Sequence, residues 1–167
     1  MKKIIITIIL FGVTLLQAYE YEVTTTIGVN VADNKSKFKD ALPLYGLRGT
    51  VYINDLTSFQ LGYERAESVD YKDVIKNSDI QRVYSNIVLT GEKELNMSPY
   101  LLLGIGYESL EIEKFGEKSQ PFFNIGVGAK YHYSEVFNFA FEAKMIKKAD
   151  TSTTDYTGNL NLNYLIK

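Results

Sequence analysis

The stretch PYLLLGIGY at residues 99–107 constrains the chain most, because as a strand it has two unlike faces. Strand side chains alternate with period two, so Leu101, Leu103, Ile105 and Tyr107 point one way. Tyr100, Leu102, Gly104, Gly106 and Glu108 point the other. An apolar face backed by small and polar groups suits a membrane-barrel strand, with aliphatics against lipid and glycine, tyrosine and carboxylate toward a narrow wet interior.

The rest of the chain repeats the pattern. Residues 19–31 put Tyr19, Tyr21, Val23, Ile27, Val29 and Val31 on one face, with Glu20, Glu22, Thr24, Thr26, Gly28 and Asn30 on the other. Residues 43–54 set Tyr45, Leu47, Val51 and Ile53 against Gly46, Arg48, Thr50, Tyr52 and Asn54, and 58–66 set Phe59, Leu61 and Tyr63 against Gln60, Gly62 and Glu64. In 80–91, Val83, Ile87 and Leu89 alternate with Arg82, Tyr84 and Asn86, although Ser85 and Val88 blur the faces. Residues 120–132 direct Phe123, Ile125, Val127, Ala129 and Tyr131 outward, and 137–145 do the same with Phe137, Phe139, Phe141, Ala143 and Met145. Residues 155–166 oppose Tyr156, Leu160, Leu162, Tyr164 and Ile166 to an asparagine ladder of Asn159, Asn161 and Asn163.

With 99–107 these make eight strands. Short turns at 55–57, 91–98 and 133–136 alternate with polar loops at 33–40, 67–79, 110–119 and 147–154. An even strand number with short turns at one end and longer loops at the other predicts an all-β, eight-stranded antiparallel up-and-down transmembrane β-barrel. Its turns and both termini face the periplasm and its loops face outward.

The first residues read as an export signal. Lys2 and Lys3 precede an apolar run over 4–16 that ends near Ala18, and such a run is shorter than the roughly 17–25 residues that span a bilayer as a helix. A cleaved signal peptide at 1–18 and a barrel domain at 19–167 are therefore expected. The chain has no cysteine, which excludes a lipid-anchored lipoprotein, a disulfide framework and a thiolate metal site. The net charge of −2, with no basic stripe, argues against nucleic acid as a partner.

Aromatic residues supply an independent check. With strands running alternately up and down, Tyr19, Tyr21, Phe59, Tyr131, Tyr133, Phe137 and Tyr164 gather near the periplasmic rim, and Tyr45, Tyr63, Tyr107, Phe123 and Tyr156 near the outer one. Two girdles of this kind suit the lipid headgroup boundaries. The alternative architecture is a soluble periplasmic, lipocalin-like barrel whose apolar face lines a ligand cavity. Repeated glycine on the polar face, at Gly28, Gly46, Gly62, Gly104, Gly106, Gly126 and Gly128, argues for a crowded lumen instead.

PYLLLGIGY, NIGVGAKYHYSEVFNFAFEAK and FQLGYE resemble the eight-stranded transmembrane domain of OmpA-like outer-membrane proteins and their short OmpX-like relatives. The resemblance implies a structural, adhesive or narrow-pore role in a Gram-negative cell envelope, contact with outer-membrane lipid and lipopolysaccharide, and assembly by the barrel-insertion machinery. It departs from the family at the last residues, Tyr164 to Lys167, which do not close on an aromatic side chain, and at Gln60, where a carboxylate is common.

Chemistry concentrates on the inner face. Arg48, Glu64, Arg82, Glu108, Lys130, Glu142 and Lys144 all point inward, and charges in a narrow lumen must pair. A turn at 55–57 that sets Ile53 opposite Phe59 would place Arg48 directly opposite Glu64. Such a network plugs a lumen too small to stay empty; the alternative is a low-conductance pore gated by these salt bridges. His132 and Ser134, with Glu142 beyond, superficially resemble the histidine, serine and glutamate of lipid A deacylases. Ser134 falls in a turn and His132 lies at the periplasmic end, far from outer-leaflet lipid A, so no enzyme is expected. Neither a metal site nor another cofactor is expected either, since a lone histidine without cysteine is a poor ligand set. The expected role is structural or surface interaction, with an extracellular ligand reached through the four loops.

Overall fold

The computed structural model describes residues 20–32, 41–67, 78–112, 116–150 and 153–166. Among them run β1 (Glu20–Ala32), β2 (Ala41–Asn54), β3 (Thr57–Glu67), β4 (Ser78–Thr90), β5 (Met97–Ile112), β6 (Gly116–His132), β7 (Phe137–Lys148) and β8 (Thr154–Ile166). Each strand pairs with the next and β1 pairs antiparallel with β8, so the sheet closes into a barrel without a free edge along the paired span. No helix among the described residues is long and apolar enough to cross a membrane.

Burial is inverted relative to a water-soluble protein. On β7 the exposed and buried positions alternate without a break. Phe141 is 63% exposed while its neighbour Glu142 is 5% exposed. Threonine, asparagine, glutamate, arginine and lysine fill the interior, and valine, isoleucine, leucine and aromatic side chains cover the exterior. A lipocalin-like ligand cavity requires the opposite arrangement, so the soluble alternative is discarded. The two ambiguous positions of β4 follow the period, with Val88 buried in the lumen and Ser85 turned outward.

Local chemistry fixes the short turns. Asn54 Oδ1 accepts the backbone N–H groups of Leu56 at 3.0 Å and Thr57 at 2.8 Å, an Asx turn that reverses the chain after β2. Glu94 and Met97 exchange backbone hydrogen bonds of 2.8 and 2.7 Å around Leu95 and Asn96, whose φ values are 47° and 64°. Two positive φ values mark the type I′ geometry that matches strand twist. After β6, Ser134 Oγ accepts the N–H of Phe137 at 2.9 Å.

Two expected loops are shorter than their polarity suggested. The ladder between β5 and β6 continues from Ser109–Ser119 to Ile112–Gly116, so most of 110–119 is strand. Lys147 and Lys148 belong to β7 and Thr154 to β8. Where both faces of a strand are wet, backbone pairing persists while the outward apolar row that identifies a barrel strand ends, as it does after Tyr107. Glu67 pairs with Asp79 at the ends of β3 and β4. The expected leader 1–18, Tyr19 and the loop segments 33–40 and 68–77 lie outside the described residues.

The register between β2 and β3 also differs from expectation. Val51 pairs with Phe59, and a bulge between Tyr52 and Asn54 leads into the turn, so Arg48 lies opposite Gly62 and Glu64 lies opposite Gly46. The turn is closed by Asn54 and Thr57 rather than by Ile53 and Phe59. Glycine opposite each long charged side chain leaves it free to reach diagonally across the sheet.

Candidate functional site in the barrel lumen

The inward charges form three clusters stacked along the barrel axis. In the middle one, Arg48 spans two carboxylates. Its Nη1 and Nη2 donate to Glu142 Oε2 and Oε1 at 2.8 Å each, and Nη2 also donates to Glu64 Oε1 at 2.9 Å. Lys144 Nζ donates to the same Glu64 oxygen at 2.5 Å and lies 3.6 Å from Glu142. Tyr84 donates its hydroxyl proton to Glu64 at 2.6 Å and Tyr100 donates to Glu142 at 3.0 Å. Lys144 Nζ also stands 4.6 Å from the Tyr84 ring centroid, a cation–π contact. Two cations thus neutralise two carboxylates with side chains 1–2% exposed.

Toward the loop end, Arg82 donates to Glu108 at 2.8 Å, Asp155 at 2.5 Å and Asn30 at 2.8 Å. Lys148 completes the group at 3.1 Å from Glu108 and 3.0 Å from Asp155. Toward the turn end, Lys130 Nζ contacts Glu22 at 2.8 Å and the Tyr52 hydroxyl at 2.6 Å. Within every cluster positive and negative groups are equal in number, which is the condition for holding ions in a poorly hydrated interior.

All seven inward charges read from the sequence therefore point into the lumen, in three separate groups: Arg48, Glu64, Glu142 and Lys144; Arg82 and Glu108; and Lys130. Glu22, Lys148 and Asp155 are partners that the sequence reading left out of the network. The period of two puts Glu22 on the inner face, while Lys148 falls within the expected 147–154 loop. Carrying the period of two past 144 to 146 and 148 would have found it.

Aromatic side chains fill what the charges leave. A Cβ added at Gly62 would overlap the Tyr84 ring, and one at Gly128 would overlap the Tyr100 ring. Tyr84, Phe122 and Ile146 cluster in the lumen, as do Leu42, Leu44, Ala66 and Ile80. Between the middle and turn-end clusters a cavity of about 30 Å³ remains, bordered by Arg48, Tyr100, Lys130 and Glu142. That is room on the order of one water.

On the exterior, Tyr21, Tyr131, Tyr133, Phe137 and Tyr164 are exposed near the turn end, with Phe59 half-buried, and Tyr45, Tyr63, Tyr107, Phe123 and Tyr156 are exposed nearer the loop end. Phe137 and Tyr164 meet across β7 and β8 with centroids 5.1 Å apart and planes tilted by 52°. His132, Ser134 and Glu142 do not converge. Ser134 caps its own turn, Glu142 holds Arg48, and His132 Nε2 is 2.9 Å from the hydroxyl of Ser98 on β5.

A family model described as an outer membrane protein beta-barrel domain matches residues 5–164. No curated protein matches the sequence. Among solved structures, Neisserial surface protein A is similar with a TM-score of 0.70 at 9% identity, over 87% of this chain and 95% of that one. The N-terminal β-barrel domain of Pseudomonas aeruginosa OprF gives 0.62 at 17% identity, over 87% and 97%. The attachment invasion locus protein Ail of Yersinia pestis, in complex with the heparin analogue sucrose octasulfate, gives 0.60 at 16% identity, over 88% and 97%. At these identities the likeness is one of fold.

Proposed function

The chain belongs to the outer membrane protein beta-barrel family, and from that premise we propose that it is a closed, structural or surface-interacting barrel rather than a pore. Its location is the bacterial outer membrane. The observation that carries the reading is the filled lumen. Three neutral charge clusters and inward tyrosines leave about 30 Å³ between the middle and turn-end groups, too little for a continuous water column. A barrel without a conduit offers its surroundings only a lipid-facing wall and the segments beyond the membrane. The wall has an apolar belt between aromatic rims, which suits outer-membrane lipid and lipopolysaccharide. The loop end carries the polar segments through which an extracellular ligand is reached, and the barrel-insertion machinery is the expected partner during assembly.

Conductance tests the reading. Purified barrel inserted into planar bilayers, with insertion established by unboiled gel mobility, is expected to leave the membrane at baseline current. Sustained unitary steps from the folded form would replace the structural reading with the pore gated by the lumen salt bridges.

A further inference from the structure

At the turn end the barrel opens into a vestibule of about 620 Å³ between the 54–57 and 91–96 hairpins, and Ser98, His132 and Lys130 line it. The single histidine of the chain is fixed here by backbone as well as side chain: its N–H donates to Asn96 O at 2.8 Å, and its Nε2 meets Ser98 Oγ at 2.9 Å. Asn138 is the cross-strand neighbour of His132 in the β6–β7 register. It is 5% exposed and its carboxamide oxygen has no hydrogen-bond partner. A serine hydrogen-bonded to the imidazole, 3% exposed but bordering the cavity, and an asparagine with a free carboxamide oxygen on the neighbouring strand are the parts of a nucleophile–base pair.

We propose that Ser98 and His132 form a nucleophilic acyl-transfer site in the turn-end vestibule, with short water-soluble carboxylic esters as the substrate class. Ser98 Oγ forms the bond to the ester carbonyl carbon while its proton passes to His132 Nε2. The carbon–oxygen bond to the leaving group then breaks and that alcohol departs with the same proton. Water repeats the sequence on acyl-Ser98, giving the carboxylic acid and restoring the serine. Asn138 is the positioning residue, its carboxamide oxygen left to accept from the imidazolium as it forms, and Lys130, paired with Glu22 and Tyr52, borders the same cavity. The site lies at the end of the barrel opposite the loops and goes beyond the role proposed above.

The test uses folded full-length barrel in detergent, treated with a fluorophosphonate and with 4-nitrophenyl butyrate. The expected result is one adduct on the peptide containing Ser98 and a burst of nitrophenolate. Ser98→Ala is expected to abolish both, and His132→Ala to slow labelling about 100-fold, the scale of a lost general base. Asn138→Ala is expected to slow labelling without moving its site. Absence of the adduct, or hydrolysis that survives Ser98→Ala, overturns the proposal. Should Ser98→Ala not fold, Ser98→Cys places the sole thiol of the chain at the same point. Its alkylation by iodoacetamide is expected to slow when His132→Ala is added, and equal rates with and without His132 overturn the proposal.

Discussion

Arg48 and Glu142, 94 residues apart in sequence, meet inside the barrel through two parallel hydrogen bonds of 2.8 Å. They come from β2 and β7, which are not hydrogen-bonded neighbours in the sheet, so the fork ties separate parts of the wall through the lumen. Such a bidentate arrangement fixes direction as well as charge.

Replacing Arg48 with Ala leaves Lys144 alone against both Glu64 and Glu142. The uncompensated buried charge is expected to cost about 3–5 kcal/mol. Urea titration of the folded gel band reads that loss as a lower midpoint. Because Tyr84, Tyr100 and Lys144 still occupy the lumen, the variant is also expected to remain at baseline current in planar bilayers. Unitary conductance appearing on removal of Arg48 would identify the guanidinium as a gate.

How far the sequence exposed this arrangement depends on which physical signal each residue carries. Outward positions such as Val127 and Leu103, and inward ones such as Glu64 and Gly104, follow from the period of two, because lipid and lumen make opposite demands on successive residues. Register was less visible. The turn closing on Asn54 and Thr57 and the bulge between Tyr52 and Asn54 together move Arg48 from the place opposite Glu64 to the place opposite Gly62, and side-chain polarity on either strand is unchanged by that shift of two. The partnership of Ser98 with His132 was hidden for a related reason, since two strands bring together residues whose local patterns suggested a neighbouring serine instead. The strand extension at 116–119 carries no apolar residue, and at 109–112 Leu110 and Ile112 fall on the phase of the inner face instead of continuing the outward row of Leu103, Ile105 and Tyr107.

Glycine in the lumen is a matter of space. Gly62→Ala would drive a methyl group into the Tyr84 ring that covers it, displacing the hydroxyl that bonds Glu64. A loss of about 1–3 kcal/mol is expected from such overpacking. Gly49→Ala provides the control, because nothing lies within 4 Å of the added carbon. Its folded fraction is expected to match the parent in the same urea series. Equal destabilisation by both substitutions would mean that chain flexibility, not lumen crowding, selects glycine at these places.

The exterior makes a depth-dependent prediction. Val127 is 58% exposed and lies midway along the outward row of β6 between Phe123 and Tyr131. Val127→Arg puts a cation against lipid tails, at an expected cost of about 2–4 kcal/mol. Leu56, exposed in the β2–β3 turn, lies beyond the aromatic rim, so Leu56→Arg is expected to cost no more than about 1 kcal/mol. Folding titrations into lipid vesicles compare the two directly, and an equal cost at both sites would contradict a membrane-spanning wall.

The β4–β5 hairpin contains a strained residue whose relief should stabilise the barrel. Leu95 is 98% exposed, so its side chain gains nothing from packing. It nevertheless holds φ at 47°, a conformation that brings Cβ close to the following carbonyl and costs a branched side chain about 1–2 kcal/mol. Asparagine tolerates this region and is favoured at the first position of a type I′ turn. Leu95→Asn keeps the reciprocal backbone bonds between Glu94 and Met97 and removes the mismatch. It is expected to raise the urea midpoint by the equivalent of about 1 kcal/mol and to speed hairpin closure during refolding. If the midpoint fell instead, Leu95 would have to contribute through a contact with the lipid surface that outweighs its backbone strain.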